Sequence, residues 1–271
     1  MNDALTRPRM RRRSLLMLTA ASAVAWAIGP ERACARGAWS RLEGARAAVG
    51  DATPSLDGLA LDVPLLSENG ASVPVLIRPE TLAPGDFIET LDLFAPSNPY
   101  PLVATLRLTA LTGRGEIATR IRLNESQTVI AVARLASGAV LVAERDVRIT
   151  ASGCLMVIDA DYSKSLLETR VRVPKIFTPG KPGEVLTIIS HPQETGLRKD
   201  ASGRVLPKRL VERLDATLDG HRVLTVEFHR SVAANPYLRF FLTPPASGTL
   251  ALRWTEDTGT TAEKSVAILV S

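Results

Sequence analysis

The sequence predicts an all-β protein of two β-sandwiches in tandem behind a removable export segment. Three observations support this. Short strand-like runs, separated by Gly- and Pro-containing turns at roughly 8–12 residue spacing, recur along the chain. The N-terminus carries an arginine cluster, an uncharged run and a small-residue cleavage pattern. About 236 of the 271 residues follow that segment, room for two domains of about 100 residues each.

The export segment opens with Arg11-Arg12-Arg13-Ser14-Leu15-Leu16 and continues as an uncharged Ala-, Ser- and Leu-rich run over residues 14–30. Ala33-Cys34-Ala35 is an A-x-A pattern before Arg36, which sets the signal peptide at residues 1–35. An Arg-Arg pair before Ser-Leu-Leu and a weakly apolar centre predict the twin-arginine route. The run is too short and too Ala-rich to span a bilayer, and Glu31-Arg32-Ala33 is a poor lipidation context for Cys34. Cleavage removes six Arg and two acidic residues, leaving 27 basic and 26 acidic. The basic excess therefore belongs to targeting, and no nucleic-acid reading follows from it. Nothing after Pro30 is long and apolar enough to cross a membrane, so the expected product is soluble and periplasmic.

Residues 38–49 are Ala-rich and fit a short helix. Thr119-Arg120-Ile121-Arg122-Leu123 alternates, residues 128–133 form a β-branched apolar run, and Ser137-Gly138 turns the chain into residues 139–143. Asp146-Val147-Arg148-Ile149 alternates again and delivers the chain to Ser152-Gly153-Cys154. A polar stretch, Asp159-Ala160-Asp161-Tyr162-Ser163-Lys164, marks the boundary, with a first domain over residues 36–158 and a second over 159–271. In the second, residues 184–190 read as a strand, and Asp219-Gly220 is a tight-hairpin signal. After it Leu224, Val226 and Phe228 share one face, with Thr225, Glu227 and His229 on the solvent face. Leu250, Leu252 and Trp254 form another inward row, and residues 265–270 close the chain. Residues 206–214 fit a helix or a strand. Asn98-Pro99-Tyr100 and Asn235-Pro236-Tyr237 each precede an extended apolar run and read as strand-entry turns.

After cleavage one cysteine remains, Cys154. A lone thiol in an oxidising compartment is buried and inert, paired with another molecule, or reactive. Ser152 and Gly153 before it favour close backbone approach, with Gly153 a flexible neighbour. Leu155-Met156-Val157-Ile158 after it favours burial. His191, His221 and His229 lack metal-ligand spacing, and His191 before Pro192 reads as structural at the interface of the halves. No nucleophile elbow or Gly-rich phosphate loop is present, so no cofactor, no metal and no catalytic residue is expected.

Several stretches carry a family resemblance. Ser67-Glu68-Asn69-Gly70-Ala71-Ser72-Val73-Pro74-Val75, Asn98-Pro99-Tyr100-Pro101-Leu102 and Ala118-Thr119-Arg120-Ile121-Arg122-Leu123 resemble SoxY, the sulfur-carrier subunit of the periplasmic sulfur-oxidising system. His191-Pro192-Gln193-Glu194-Thr195-Gly196-Leu197-Arg198-Lys199-Asp200, Ala234-Asn235-Pro236-Tyr237-Leu238-Arg239-Phe240-Phe241 and Ser247-Gly248-Thr249-Leu250 resemble its partner SoxZ. Together these cover about residues 55–271, in an order similar to fused SoxYZ-like carriers associated with quinoprotein dehydrogenases.

The resemblance implies immunoglobulin-like sandwiches in both halves. It also implies a carrier without an active site of its own, which holds a sulfur or related intermediate covalently on Cys154 for partner enzymes, as in thiosulfate oxidation. The implied partners are periplasmic sulfur-oxidising enzymes or a quinoprotein dehydrogenase/cytochrome system. The alternative is an accessory protein of such a dehydrogenase, with an inert thiol, and a third reading is a plain β-sandwich adhesion or chaperone-like domain. This chain departs from the family's Gly-Gly-Cys-Gly-Gly tail: most flanking glycines are replaced, and the cysteine lies mid-chain. An internal cysteine enters a partner site as a loop with two chain passes about 5 Å apart.

Overall fold

The computed structural model describes residues 37–152, 162, 164–200 and 202–271. The signal peptide and residues 153–161, with Gly153 and Cys154, lie outside the described residues. After a 3-10 turn, Ala38–Arg41, and a short helix α1, Glu43–Val49, the regular elements are strands apart from one further 3-10 turn, Ala110–Thr112. The first half contributes β1 (Leu59–Asp62), β2 (Leu66–Ser67), β3 (Val73–Pro79), β4 (Ile88–Phe94), β5 (Leu102–Leu108), β6 (Ile117–Ile121), β7 (Gln127–Leu135) and β8 (Val140–Ile149). The second contributes β9 (Thr169–Arg172), β10 (Gly183–Ile189), β11 (Val211–Leu218), β12 (His221–Phe228), β13 (Tyr237–Leu242), β14 (Gly248–Glu256) and β15 (Thr261–Ile268). Among the described residues no helix is long and apolar enough to cross a membrane.

The all-β class and the sandwich architecture follow the sequence, with one addition: the halves join edge to edge, so each sheet runs through both. One sheet has the order β1-β3-β6-β13-β10-β9, the other β15-β14-β11-β12-β5-β4-β7-β8-β2. The larger junction is β5 against β12, antiparallel from Leu108↔Leu224 to Ala104↔Phe228. The smaller is β6 against β13 at Ala118↔Arg239. The edge backbone groups of β5 and β12 are thereby paired with each other instead of with water. The inward rows of both halves form one apolar cluster, including Leu91, Leu106, Ile117, Val226, Phe240 and Trp254. Phe228 and Trp254 stack in it at 5.7 Å.

Helix α1 packs on the outer face of the larger sheet. Ala45 and Val49 meet Phe94, Ile130, Val132, Val140 and Val142 in a second, smaller apolar cluster. Residues 206–210 are not helical: Leu206 N–H donates to the Arg198 carbonyl and Arg209 N–H to the Glu194 carbonyl, and β11 begins at Val211. The Asp219-Gly220 turn has φ of 47° and 81°, the left-handed pair that a two-residue hairpin requires.

Candidate functional site: the seam that anchors the cysteine segment

The described chain stops at Ser152 and resumes at Tyr162, so what the structure defines is the pair of anchors on either side of Cys154. The entry anchor is tight. Strand β2 runs parallel to the end of β8, pairing Leu66 with Arg148 and Ser67 with Ile149. Thr150 N–H donates to the Ser67 carbonyl at 3.2 Å, Gly70 N–H to the Ala151 carbonyl at 2.9 Å, and the Ser152 hydroxyl to Asn124 Oδ1 at 3.0 Å. Here Ser67-Glu68-Asn69-Gly70 serves as the splint for the last described residues before the cysteine.

The exit anchor is a turn over residues 164–167, with Tyr162 and Glu168 on either side of it. Leu166 N–H donates to the Tyr162 carbonyl at 2.9 Å, Leu167 N–H to the Ser190 carbonyl at 2.8 Å, and Ser190 N–H to the Glu168 carbonyl at 2.9 Å. Burial raises the Tyr162 phenol above its ordinary value, and the neighbouring Asn235 side chain and Arg122 charge oppose that rise.

Both anchors lead to one buried polar cluster where the halves meet. Asn98 is 4% exposed; its amide donates to the Arg122 carbonyl (2.7 Å) and to Ser231 Oγ (3.0 Å). Its oxygen accepts from Asn124 N–H and Gln127 Nε2. Three hydrogen bonds thus connect Ser152, through Asn124 and Asn98, to Ser231 of the second half. Arg122, also 4% exposed, sends its guanidinium across the seam to the carbonyls of Gln193 (2.6 Å) and Pro192 (3.0 Å). Alternation places Arg122 outward beside exposed Arg120; β6 ends at Ile121, and the next residue turns into the seam. The second Asn-Pro-Tyr motif lies in the same region. Asn235, at φ 51°, accepts from His191 N–H at 2.9 Å and donates its own N–H to the His191 carbonyl at 2.8 Å.

His191 is structural, as its place before Pro192 suggests. It is fully buried, and its Nδ1 accepts from Gln193 N–H (3.0 Å), so Nε2 carries the proton and donates to Glu256 Oε1 at 2.8 Å. Burial pushes the imidazole below its ordinary pKa, against the pull of Glu256. Burial pushes Glu256 upward, but bonds from Thr258, Arg209 and His191 outweigh it and hold the carboxyl below its ordinary value. His229 departs from the expected solvent-face strand position. It follows the end of β12, is half-buried, and its Nε2 has no partner among the described residues. Its ring lines a cleft of about 480 Å³ together with Tyr100 and Leu102 of the first half and Lys208 and Leu210 of the second. Among the described residues no group of three His, Cys, Asp or Glu side chains is placed to hold a metal.

Two family models match the chain: sulfur oxidation protein SoxY over residues 45–154 and sulphur oxidation protein SoxZ over residues 171–267. No curated protein matches. Among solved structures, superoxide reductase (neelaredoxin) from Ignicoccus hospitalis is similar at 9% identity with a TM-score of 0.30, over 34% of this chain and 79% of that one. A chain from Thermotoga maritima described as a superoxide reductase aligns at 14% identity with a TM-score of 0.28, over 34% of this chain and 86% of its own. Likeness at this level transfers no function.

Proposed function

Because the chain belongs to the SoxY and SoxZ families, joined in tandem in one polypeptide, we propose that it is a carrier for sulfur oxidation in which Cys154 holds the sulfur intermediate. The observation that carries this reading is the coincidence of three boundaries. The SoxY match runs to residue 154, the last splinted residue is Ser152, and the lone cysteine of the mature chain stands two residues beyond it. A carrier thiol needs a fixed base and an adjacent reactive group, and this is where the sequence places them.

The thiolate is the reactive form. Loading from a persulfide-bearing partner needs no outside oxidant. The Cys154 thiolate attacks the donor's terminal sulfur, a new S–S bond forms, the donor's S–S bond breaks, and the donor leaves as a thiolate. The next enzyme then works on the sulfur bound to Cys154. The chain is anchored at Ser152 and again at Tyr162, so the partner site must admit a loop of two passes about 5 Å apart, wider than a channel for a free tail. In this reading the protein works in the periplasm after twin-arginine export. Residues 36–158 carry the thiol, residues 159–271 scaffold it, and sulfur-oxidising enzymes are the partners.

The test is thiol-specific labelling of the signal-cleaved protein with and without denaturant, followed by intact mass after exposure to a low-molecular-weight persulfide. The expected result is rapid native labelling and a mass increment of one sulfur atom, both absent in Cys154→Ser. Labelling only after unfolding refutes the carrier role and favours the accessory role beside a quinoprotein dehydrogenase.

A further inference from the structure

The outer face of the larger sheet holds a cleft that the carrier role does not use. It lies between α1 and the strands beneath it, measures about 500 Å³, and is lined by Leu42, Gly44, Ala48, Phe94, Pro101 and Leu102 together with two carboxylates, Glu43 and Asp92. Among the described residues no basic side chain lines it. It is an open groove, mainly apolar with very few polar groups, of a size to take a small molecule along one side.

Asp92 is the informative group. It projects from β4 beside Thr105 of β5, its cross-strand partner. The Thr105 hydroxyl donates to Oδ1, and among the described residues Oδ2 accepts no hydrogen bond. The guanidinium that would ordinarily neutralise it, Arg107 on the same face, is bound instead to Glu227 at 2.7 Å. Burial pushes the Asp92 carboxyl above its ordinary pKa, with Glu227 acting in the same sense, while the Thr105 bond and the charges of Arg107 and His229 oppose the rise. Glu43, at the rim on the first turn of α1, is exposed and forms no ion pair among the described residues. Oδ2 faces the open groove, where water can reach it, so a cation would act by replacing that water on a half-buried carboxylate bordered by apolar surface.

We propose that this cleft binds a small organic ammonium ion, its charged head on Asp92 Oδ2 and its apolar body against Phe94, Leu102 and Leu42. Each part of the cleft has a role in that complex. The head supplies a counter-charge and donor hydrogens, and the apolar wall, with the exposed edge of Phe94, takes the alkyl part. An alcohol of the same shape gains only the apolar term. A carboxylate or a sulfur oxyanion meets two negative charges, so the site is chemically distinct from the sulfur-carrying thiol.

The experiment is isothermal titration of the signal-cleaved protein with n-butylammonium chloride, 1-butanol and sodium butyrate at equal ionic strength. Butylammonium is expected to bind saturably in the millimolar range, at least about tenfold tighter than butanol, and butyrate not at all. Asp92→Asn, which retains an acceptor for Thr105, should reduce butylammonium affinity at least about tenfold and leave the butanol signal unchanged. Cys154→Ser should change nothing, which separates this site from the carrier reading. As a check that does not depend on a variant folding, the Asp92 carboxyl resonance should titrate at lower pH in the butylammonium complex. Equal binding of butanol and butylammonium, absence of saturable ammonium binding, or an unshifted Asp92 titration each overturns the proposal.

Discussion

Arg122→Met tests whether the seam is held by the buried guanidinium. The side chain is buried, and its two terminal nitrogens bond the carbonyls of Gln193 and Pro192 at 2.6 and 3.0 Å. Hydrogen bonds from a charged donor contribute about 1.5–3 kcal/mol each, and a buried carbonyl left without a donor keeps its desolvation cost. Methionine fills most of the space and regains some apolar contact, so the net loss should be about 3–5 kcal/mol. Against a typical total of about 5–15 kcal/mol this is a large fraction. Urea unfolding followed by far-UV circular dichroism and by Trp254 fluorescence in a Trp39→Phe background should show a lower midpoint. The two probes should diverge if the halves then open separately. Arg120→Met is the control: Arg120 is exposed, and its guanidinium overlies the Tyr237 ring at 5.0 Å, so it should cost less than about 1 kcal/mol. A change below about 1 kcal/mol for Arg122→Met, or equal effects from the two variants, would show that strand pairing alone holds the seam.

Acid should destabilise the fold in two windows. His191 and His229 are both held below the ordinary 6.5 by burial. As pH falls through 6.5 the unfolded chain therefore takes up protons that the folded protein does not, at up to about 1.4 kcal/mol per pH unit for each group. Glu256 is held below the ordinary 4.5, so its contribution is complete above that value and disappears as pH falls through its lower folded pKa. Urea midpoints measured from pH 7.5 to 4 should show a shallower slope below 6.5 in His191→Gln; an unchanged slope removes His191 from this account. At Gly183 an added Cβ would stand well inside van der Waals contact with the Phe177 ring, a residue only 1% exposed. Gly183→Ala should cost about 1–3 kcal/mol in thermal or urea unfolding, and Gly138→Ala, with open space around it but φ at 88°, should cost about 1–2 kcal/mol from backbone strain alone.

The parts of this fold that can be read from sequence are those set by short-range pattern. Leu250, Leu252 and Trp254 alternate inward because a strand points every second side chain to one face. Asp219-Gly220 turns where two residues tolerant of positive φ stand together. The joining of the halves is not legible in this way: β5 and β12 are separated by more than a hundred residues, and neither pattern states which edge it will find. The run 206–214 has Leu206, Leu210 and Leu214 at helical spacing, but bonds to Arg198 and Glu194 hold its first part as a hairpin arm. Arg122 reads as a surface residue because its burial depends on carbonyls supplied by the other half. Asp92 reads as an ordinary outward residue of β4, and only the presence of α1 beside that face makes it the wall of a groove.

Cys154 is conspicuous for the opposite reason: the sequence holds two cysteines, and the other, Cys34, falls in the expected export segment. The fold contributes the anchors. In a two-subunit arrangement a terminal arm answers to one attachment point. Here the entry anchor reaches Ser231 through Asn124 and Asn98, and the exit anchor lies beside Arg122 and Asn235. Both ends of the segment are therefore tied to the same interface that unites the sheets. Weakening that interface should alter the presentation of Cys154 even though the seam acts only through the anchors. The measurable consequence is that Arg122→Met should change the rate of native thiol labelling at urea concentrations too low to unfold the protein, whereas Arg120→Met should not.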